Sequence, residues 1–498
     1  MWLEGLETVF QGTNLFYLLL GTAYGLLIGA LPGLGPNFGV ASMLPLTFNM
    51  DASTAIIFLA AIHASTAYGD SIASILINTP GGAGSIASCW DGYPLARQGK
   101  AGLALGVSTL GSAMGGIIGW ICLVFISPIL VTVALTIGPH EYTMLALLAL
   151  SLLSVAAQGE TVKGFILCGF GLLLSFMGSD PVNGFMRFTF GASYFEDGID
   201  IIPVVLGLFA LSQVINLAAG KSSSIAEVFS PKDSVWKGVL EALRYPVTII
   251  RGGLFGIFLG IMPALGISTA NIVAYLAEKK ASKDPGSFGQ GNVRGLLAPE
   301  TAKNACVVGD LIPTFTLGIP GSSTTALFLA ALMIHGITPG PEFFQKGVLP
   351  YAVFIGILLA QVAFFLGGLL SAKYFAKVVN IPTAVLVPLI TVLSFLGAYA
   401  FRNELLDVLM TVFFGVLGYF LVRNKYPVAC IVLGLVLGQM LEGNFHRALI
   451  IGDYKYTTFF TQPVSLGIFL VMVFFLVWPY IIPLFKRIPA YLRPGADD

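Results

Sequence analysis

The sequence predicts an all-α polytopic membrane protein with about 11–14 transmembrane segments, some broken or re-entrant, in two inverted repeats. Three observations carry this reading. The 498 residues are 56% hydrophobic and only 10% charged, where a soluble chain carries about 25% charged residues. One apolar phrase occurs twice: Gly25, Gly29, Pro32 and Gly35 recur as Gly256, Gly260, Pro263 and Gly266, offset by 231 (256 − 25). A second phrase also recurs: Gly69-Asp70 leads to Pro80-Gly81, and Gly309-Asp310 leads to Pro320-Gly321, offset by 240 (310 − 70).

Apolar runs lie near 14–31, 52–68, 103–126, 141–157, 164–178, 201–217, 247–262, 297–312, 322–336, 348–371, 383–400, 404–423, 427–441 and 462–485. Stretches 33–48, 71–89, 264–278 and 311–321 are too short or too rich in Gly, Pro and Ser to span a bilayer alone, and read as half-helices or re-entrant hairpins. The first repeat covers 1–219 and the second, with the C-terminal helices, 247–498. Between them, 220–246 is polar, with Trp236, Val239, Leu240 and Leu243 at helical spacing, as in an interfacial amphipathic helix on the cytoplasmic side. A plain solvated linker is the alternative.

Basic loops (Arg97/Lys100, Lys221–Arg251, Lys279–Arg294, Lys373/Lys377, Arg423/Lys425, Lys486–Arg493) alternate with acidic ones (Glu4/Glu7, Glu196–Asp200). The positive-inside rule then places the N-terminus outside and the C-terminus inside, which inverts the repeats. Met1-Trp2-Leu3-Glu4 lacks the basic start of a signal peptide, so the first apolar run reads as a retained membrane segment. Net charge is zero, and no basic stripe suited to nucleic acid is present. The five cysteines show no C-x-x-C, and the chain has no G-x-x-x-x-G-K-[ST]; zinc, disulfide and P-loop chemistry are unsupported.

A duplicated apolar segment broken by Gly and Pro points to a carrier's binding site. Pro32-Gly33-Leu34-Gly35 and Pro263-Ala264-Leu265-Gly266 would interrupt their helices, freeing carbonyls for a cation and amides for an anion. Pro80-Gly81-Gly82-Ala83-Gly84-Ser85 and Pro320-Gly321-Ser322-Ser323-Thr324 add hydroxyls. Close helix packing is the competing role for these small residues.

The offset of 240 also maps Asp70 onto Asp310 and His63 onto Lys303. Each half thus sets a base seven residues before an acid, on one helix face about 10 Å apart. His63 and Lys303 are candidates to hold an anionic substrate. Asp70 and Asp310 are candidates to bind Na⁺ or carry a proton, with capping of helices from Ser71 and Leu311 as the alternative. Asn78 aligns with Gly318, and either binds substrate through its amide or bonds a neighbouring helix. Glu300 follows Pro299 and reads as a residue at a helix start; Asp91-Gly92-Tyr93-Pro94 and His335–Pro341 read as turns.

These phrases resemble the large membrane subunit of the bacterial tripartite tricarboxylate transporters. The matching pieces are L-P-G-L-G-P at 31–36, A-Y-G-D-S-I-A-S-I-L-I-N-T-P-G at 67–81 and D-G-Y-P-L-A-R-Q-G-K-A-G at 91–102. The second half adds Y-L-A-E-K-K at 275–280, F-G-Q-G at 288–291, A-P-E-T-A-K-N-A at 298–305, T-L-G-I-P-G at 316–321 and H-G-I-T-P-G-P at 335–341. The resemblance implies a secondary carrier of the bacterial inner membrane, not an enzyme, importing an organic carboxylate. It implies a periplasmic solute-binding protein, a small transmembrane subunit, and no cofactor beyond a coupling ion, Na⁺ or H⁺. The family more often shows Gly-Gly in place of Gly69-Asp70 and Gly309-Asp310, and Asn-Asn in place of Lys303-Asn304. An intramembrane aspartyl protease using Asp70 and Asp310 is a second reading, although its G-x-G-D context is absent. A passive anion channel is a third.

Overall fold

The computed structural model describes residues 1–156, 161–180, 183–219, 233–263, 265–378 and 383–486. Helix α1 (Trp2–Phe10) precedes α2 (Gly12–Gly29). The chain breaks at 30–35 and Pro36 opens the short α3 (Pro36–Met43), where its missing amide costs nothing. Next come the buried α4 (Ala52–Ile77), α5 (Ile86–Arg97) and the long α6 (Ala101–Ala134). Helices α7 (Pro139–Ala156) and α8 (Thr161–Ser175) precede a two-strand ribbon, β1 (Gly178–Ser179) antiparallel to β2 (Met186–Arg187). The chain continues through α9 (Ile201–Val205), capped by the Asp200 carboxylate, and a π-helical stretch 206–211 into α10 (Ser212–Ala219).

Helix α11 (Val235–Ala242) meets α12 (Pro246–Ile261) at 84°. After a second break come α13 (Gly266–Ala281), α14 (Val293–Gly309), α15 (Leu311–Leu317), α16 (Ser323–Ile334), α17 (Leu349–Ser371) and α18 (Phe375–Val378). The last helices are α19 (Thr383–Arg402), α20 (Leu405–Arg423), α21 (Ala429–Ile451), α22 (Thr458–Thr461) and α23 (Pro463–Lys486). Contacts gather the chain into two compact units, one of Met1–Leu135 with Asp200–Val428 and one of Thr136–Ile199 with Ala429–Asp498.

Among the described residues, 8 helices are long and apolar enough to cross a membrane, or 9 if the bent α11–α12 pair is one span. That is fewer than the segments expected from sequence. Apolar helices at Thr161–Ser175, Ser323–Ile334 and Pro463–Val477 are shorter, and run 297–312 falls on α14, which carries Glu300 and Lys303. Stretch 71–89 is also not one hairpin, because α4 continues unbroken to Ile77. Of the expected amphipathic linker, 220–232 lies outside the described residues. In α11, Val239 is buried against α6 while Trp236, Leu240 and Leu243 are exposed.

The first unit is built around two glycine ridges. A Cβ at Gly21, Gly25 or Gly29 of α2 would strike the carbonyl oxygen of Phe58, Ile62 or Thr66 of α4. A Cβ at Gly252, Gly256 or Gly260 of α12 would strike that of Ala298, Ala302 or Cys306 of α14. For Gly21, Gly25, Gly252 and Gly260 the approach is 2.8 Å. The glycines differ by 231 and their partners by 240, the two offsets of the sequence phrases. The repeat is therefore a repeated packing solution, in which glycine at every fourth position lets two helix backbones touch.

In the second unit, α21 packs on α7 and α8, and a Cβ on Gly434 would lie 2.9 Å from the Gly171 Cα. Arg187 of the ribbon grips Glu442 with both ends of its guanidinium, at 2.6 and 3.0 Å.

Replacing Gly25 or Gly256 by Ala should therefore lower the thermal transition in detergent, at a cost of about 1–3 kcal/mol each. Gly169, with open space around its Cα, should accept Ala without loss.

Candidate functional site

The site forms where the helix after each glycine ridge turns back on itself. Helix α4 ends at Asn78, which takes the left-handed conformation (φ 53°), and α15 ends at Gly318 in the same conformation (φ 69°). The next amides reach back alike, Thr79 N to Ala73 O at 3.5 Å and Ile319 N to Pro313 O at 3.3 Å. Asn78 and Gly318 thus do the same backbone work. Asn tolerates this region better than other side-chain-bearing residues, and the Asn78 side chain is exposed.

Each hairpin then closes over its aspartate. A Cβ on Gly81 would meet the Asp70 Cα at 2.9 Å, and one on Gly321 the Asp310 Cα at 2.8 Å. Asp70 lies inside α4, so it does not cap a helix from Ser71. It caps the hairpin instead: its Oδ1 accepts the Gly82 amide at 2.6 Å and the Ser85 hydroxyl. Asp310 stands at the start of α15 but makes no capping bond there.

One base faces an acid across the halves at ion-pair distance. His63 Nε2 lies 3.8 Å from Asp310 Oδ1, and the Lys303 ammonium acts on Asp70 by charge. Within each half, base and acid do not touch, as the seven-residue spacing requires. Lys303 is also held by Glu300 Oε2 at 3.1 Å and by the Ser71 hydroxyl.

Glu300 is the residue the sequence reading misplaced. It sits in mid-helix, with Pro299 inside α14 rather than at its start, and is fully buried. Its carboxylate accepts Ser71 at 2.5 Å, Ser108 at 2.8 Å, Ser112 at 3.0 Å and the Ser88 hydroxyl. One side chain thereby joins α4, α5, α6 and α14. Four serines buried in apolar helices were the available signal, but no sequence spacing links them to one acceptor.

The other expected substrate groups line this region. Gly33 (φ 82°) offers its carbonyl to Gln213 at 2.6 Å, and Gly35 packs on the Gly82 Cα. Gly266 (φ 63°) opens α13 with space around it; Pro263 is half-buried and Ala264 lies outside the described residues. Pro80 is half-buried and Pro320 buried, each leading into its glycine. The hydroxyls are engaged within the protein. Ser85 serves Asp70, Ser322 accepts the Thr325 amide at 3.2 Å as a helix cap, and Ser323 donates to Asn37 at 3.0 Å.

Asn37, in α3, takes Ser323 and Thr324 of α16, while Asn271, in α13, takes the Ala87 amide of α5 at 2.8 Å. Each half's short helix holds the start of the other half's return helix. Both asparagines escaped the sequence reading.

Two motifs prove structural. Asp91 is inside α5, not in a turn, and its Oδ1 accepts the amides of Gly289, Gly291 and Asn292 at 2.7–2.9 Å. Glu278 of Y-L-A-E-K-K binds Arg251 at 2.8 Å and Arg294 at 2.5 Å. His335, at the end of α16, edges a cavity of about 430 Å³ with Lys346; burial lowers its pKa, against the opposing pull of Asp51.

Glu300→Gln should destabilise the protein by about 3–5 kcal/mol, because it strands the buried Lys303 charge. The double variant Glu300→Gln/Lys303→Met should recover part of that loss in thermal unfolding.

A family model described as the tripartite tricarboxylate transporter TctA family matches residues 15–433. An uncharacterized 52.8 kDa protein in the TAR-I ttuC' 3' region of Agrobacterium vitis is 34% identical over 468 residues, 93% of this chain and 92% of that protein. An uncharacterized protein in the TAR-II ttuC' 3' region of the same organism is 36% identical over 236 residues, 45% of this chain and 95% of that protein. No solved structure matches significantly. By the extent of these matches, the chain belongs to the tripartite tricarboxylate transporter TctA family.

Proposed function

We propose that this chain is the large transmembrane subunit of a secondary carrier that imports an organic carboxylate, a tricarboxylate, dicarboxylate or relative. A Na⁺ or H⁺ gradient drives it across the bacterial inner membrane. A periplasmic binding protein delivers the substrate and a small transmembrane subunit completes the complex. The N-terminus faces the periplasm, the C-terminus faces the cytoplasm and the two repeats are inverted.

The observation that carries this reading is the pair of hairpins closing over buried acids, with His63 set against Asp310 across the halves. Asp70, Glu300, Lys303 and Asp310 are each 0% exposed. Three acids face one lysine and one histidine, so with all three ionised the buried centre has an excess of negative charge even when His63 is protonated. Buried charge of this kind demands compensation. A cation that enters with the substrate supplies it, and Asp70 and Asp310 are where it acts.

The carboxylate binds between Pro32–Gly35, Asn78–Ser85, Pro263–Gly266 and Pro320–Ser323. Backbone amides and helix N-termini bind it there, with His63 and Lys303 supplying positive potential. Crossed clasps, Asn37 on α16 and Asn271 on α5, make the hairpins and short helices one body. Such a body suits elevator-type movement in alternating access. Asp70 and Asp310 answer to different bases rather than to each other, which suits a carrier and not a proteolytic dyad.

The test is uptake of labelled acetate, succinate and citrate into proteoliposomes. They hold this chain and its small subunit, with or without the binding protein, under separately imposed Na⁺ and H⁺ gradients. Accumulation of a di- or tricarboxylate that needs both the binding protein and one gradient is expected. Gradient-independent leakage, or no uptake of any carboxylate, would overturn the reading.

A further inference from the structure

We propose that His63 and Asp310 form the proton-carrying pair of this carrier, loading one proton per cycle, while Asp70 serves as a fixed cap. The inference rests on the carrier reading, names its coupling ion, and narrows the two aspartates of that reading to Asp310, with His63 as its partner.

It starts from an asymmetry between corresponding positions. Asp70 Oδ1 is bonded to Gly82 and Ser85, whereas neither carboxylate oxygen of Asp310 has a hydrogen-bond partner. The cause is one residue. Gly82 has no side chain to cap its own turn, so its amide goes to Asp70. At the corresponding place Ser322 closes a capping box with Thr325: its amide donates to Thr325 Oγ1 at 2.8 Å, and its hydroxyl accepts the Thr325 amide. The second hairpin satisfies itself: the Ser322 hydroxyl also faces Asp310, but it caps the Thr325 amide and makes no hydrogen bond to the carboxylate.

Opposite Asp310 stands a matching orphan. Both ring nitrogens of His63 lack hydrogen-bond partners, and His63 is 2% exposed. The 3.8 Å gap to Asp310 is too long for a hydrogen bond but short enough for an ion pair. The Phe328 ring lies against the imidazole, centroids 5.8 Å apart.

One proton settles this pair in either of two ways. On His63 Nε2 it makes an imidazolium beside a carboxylate; on Asp310 it makes two neutral groups. Transfer between the two breaks one N–H bond and forms one O–H bond, with no other reactant. Without the proton, a carboxylate is buried beside a neutral ring, which is strongly unfavourable. The proton can therefore leave only when water reaches the pair, which is the condition for coupling. Sodium, a hard cation, takes oxygen ligands and would leave His63 without a role.

No other charge competes closely. Of the elements packed on α4, helices α2, α3, α6, α16 and α17 contain no Asp, Glu, Lys, Arg or His. Their titratable groups are Tyr17, Tyr24, Tyr351 and Cys122. Helix α5 brings Asp91, bound to the 289–292 amides, with Arg97, Cys89 and Tyr93. Helix α14 brings Arg294, Glu300 and Lys303, each in an ion pair, and Cys306. Around Asp310, α12 brings Arg251, paired with Glu278, and stretch 341–345 brings Glu342. On α4 itself, Tyr68 bonds Thr109, and Asp70 is two helical turns from His63.

The experiment uses the complete reconstituted system in Na⁺-free buffer, with a pH-sensitive dye inside the vesicles. With the membrane potential clamped at zero, an inward gradient of one pH unit can drive about tenfold accumulation when one proton enters with each substrate. The wild type should show that ratio with citrate or succinate, and interior acidification on substrate addition. In His63→Gln and Asp310→Asn the ratio of uptake with and without the gradient should fall to about one, whatever the absolute rate. Asp310→Glu should keep the gradient dependence.

If the variants fail to fold, the wild-type dye signal decides alone. Sodium-driven uptake with a silent dye, or variants that still respond to the proton gradient, would overturn the pair and leave the carrier intact. No accumulation under any gradient would overturn both.

Discussion

The centre of the first unit depends on one buried carboxylate. Glu300 gathers four serine hydroxyls from three helices and the ammonium of Lys303. A charge there is tolerable only because every lone pair is answered. That requirement fixes α4, α5, α6 and α14 relative to one another, and with them the positions of Asp70 and Lys303. Around this ion cluster the packing is close. Gly111 of α6 packs on the Glu300 Cβ, at 3.2 Å from where its own Cβ would stand.

The duplicated glycine ridges act one layer out. They bring α2 onto α4 and α12 onto α14 at backbone contact, so His63 and Asp70 on one helix, and Lys303 on the other, project from elements held without slack. The hairpins are then defined from two sides, by the aspartate beneath them and by an asparagine of the opposite short helix. Pairing a base of one half with an acid of the other follows from this exchange. Lys303 is balanced within its own half by Glu300, while His63 faces an acid of the other half.

Much of this was legible in the sequence, in particular places. The Gly/Pro breaks before α3 and α13, the returns after Asn78 and Gly318, and the equivalence of Asp70 with Asp310 follow from residues with restricted backbone chemistry at constant offsets. Backbone chemistry is local, so a sequence can display it. Glu300 was not legible as the hub, because its partners Ser71, Ser88, Ser108 and Ser112 come from helices whose contacts only the fold decides. Whether Asp70 stands in mid-helix or caps a helix from Ser71 stays open in the sequence because Gly-Asp-Ser looks like a cap; tertiary packing carries the helix through it. Apolar runs outnumber the helices long enough to span among the described residues, because composition does not show where a helix ends. Gly318 ends α15 after seven residues.

The repeats are equal in packing and unequal in chemistry, and the inequality is what a carrier needs. Two identical acid sites would both be capped or both be free. Both capped gives a rigid body with nothing to titrate; both free leaves two uncompensated carboxylates in an apolar core. Gly82 against Ser322 separates the roles at the smallest structural cost, since the two residues share one backbone conformation (φ −144° and −147°). In one half the aspartate completes the hairpin and stays fixed. In the other a serine completes the hairpin, and the aspartate keeps its valence for something that comes and goes.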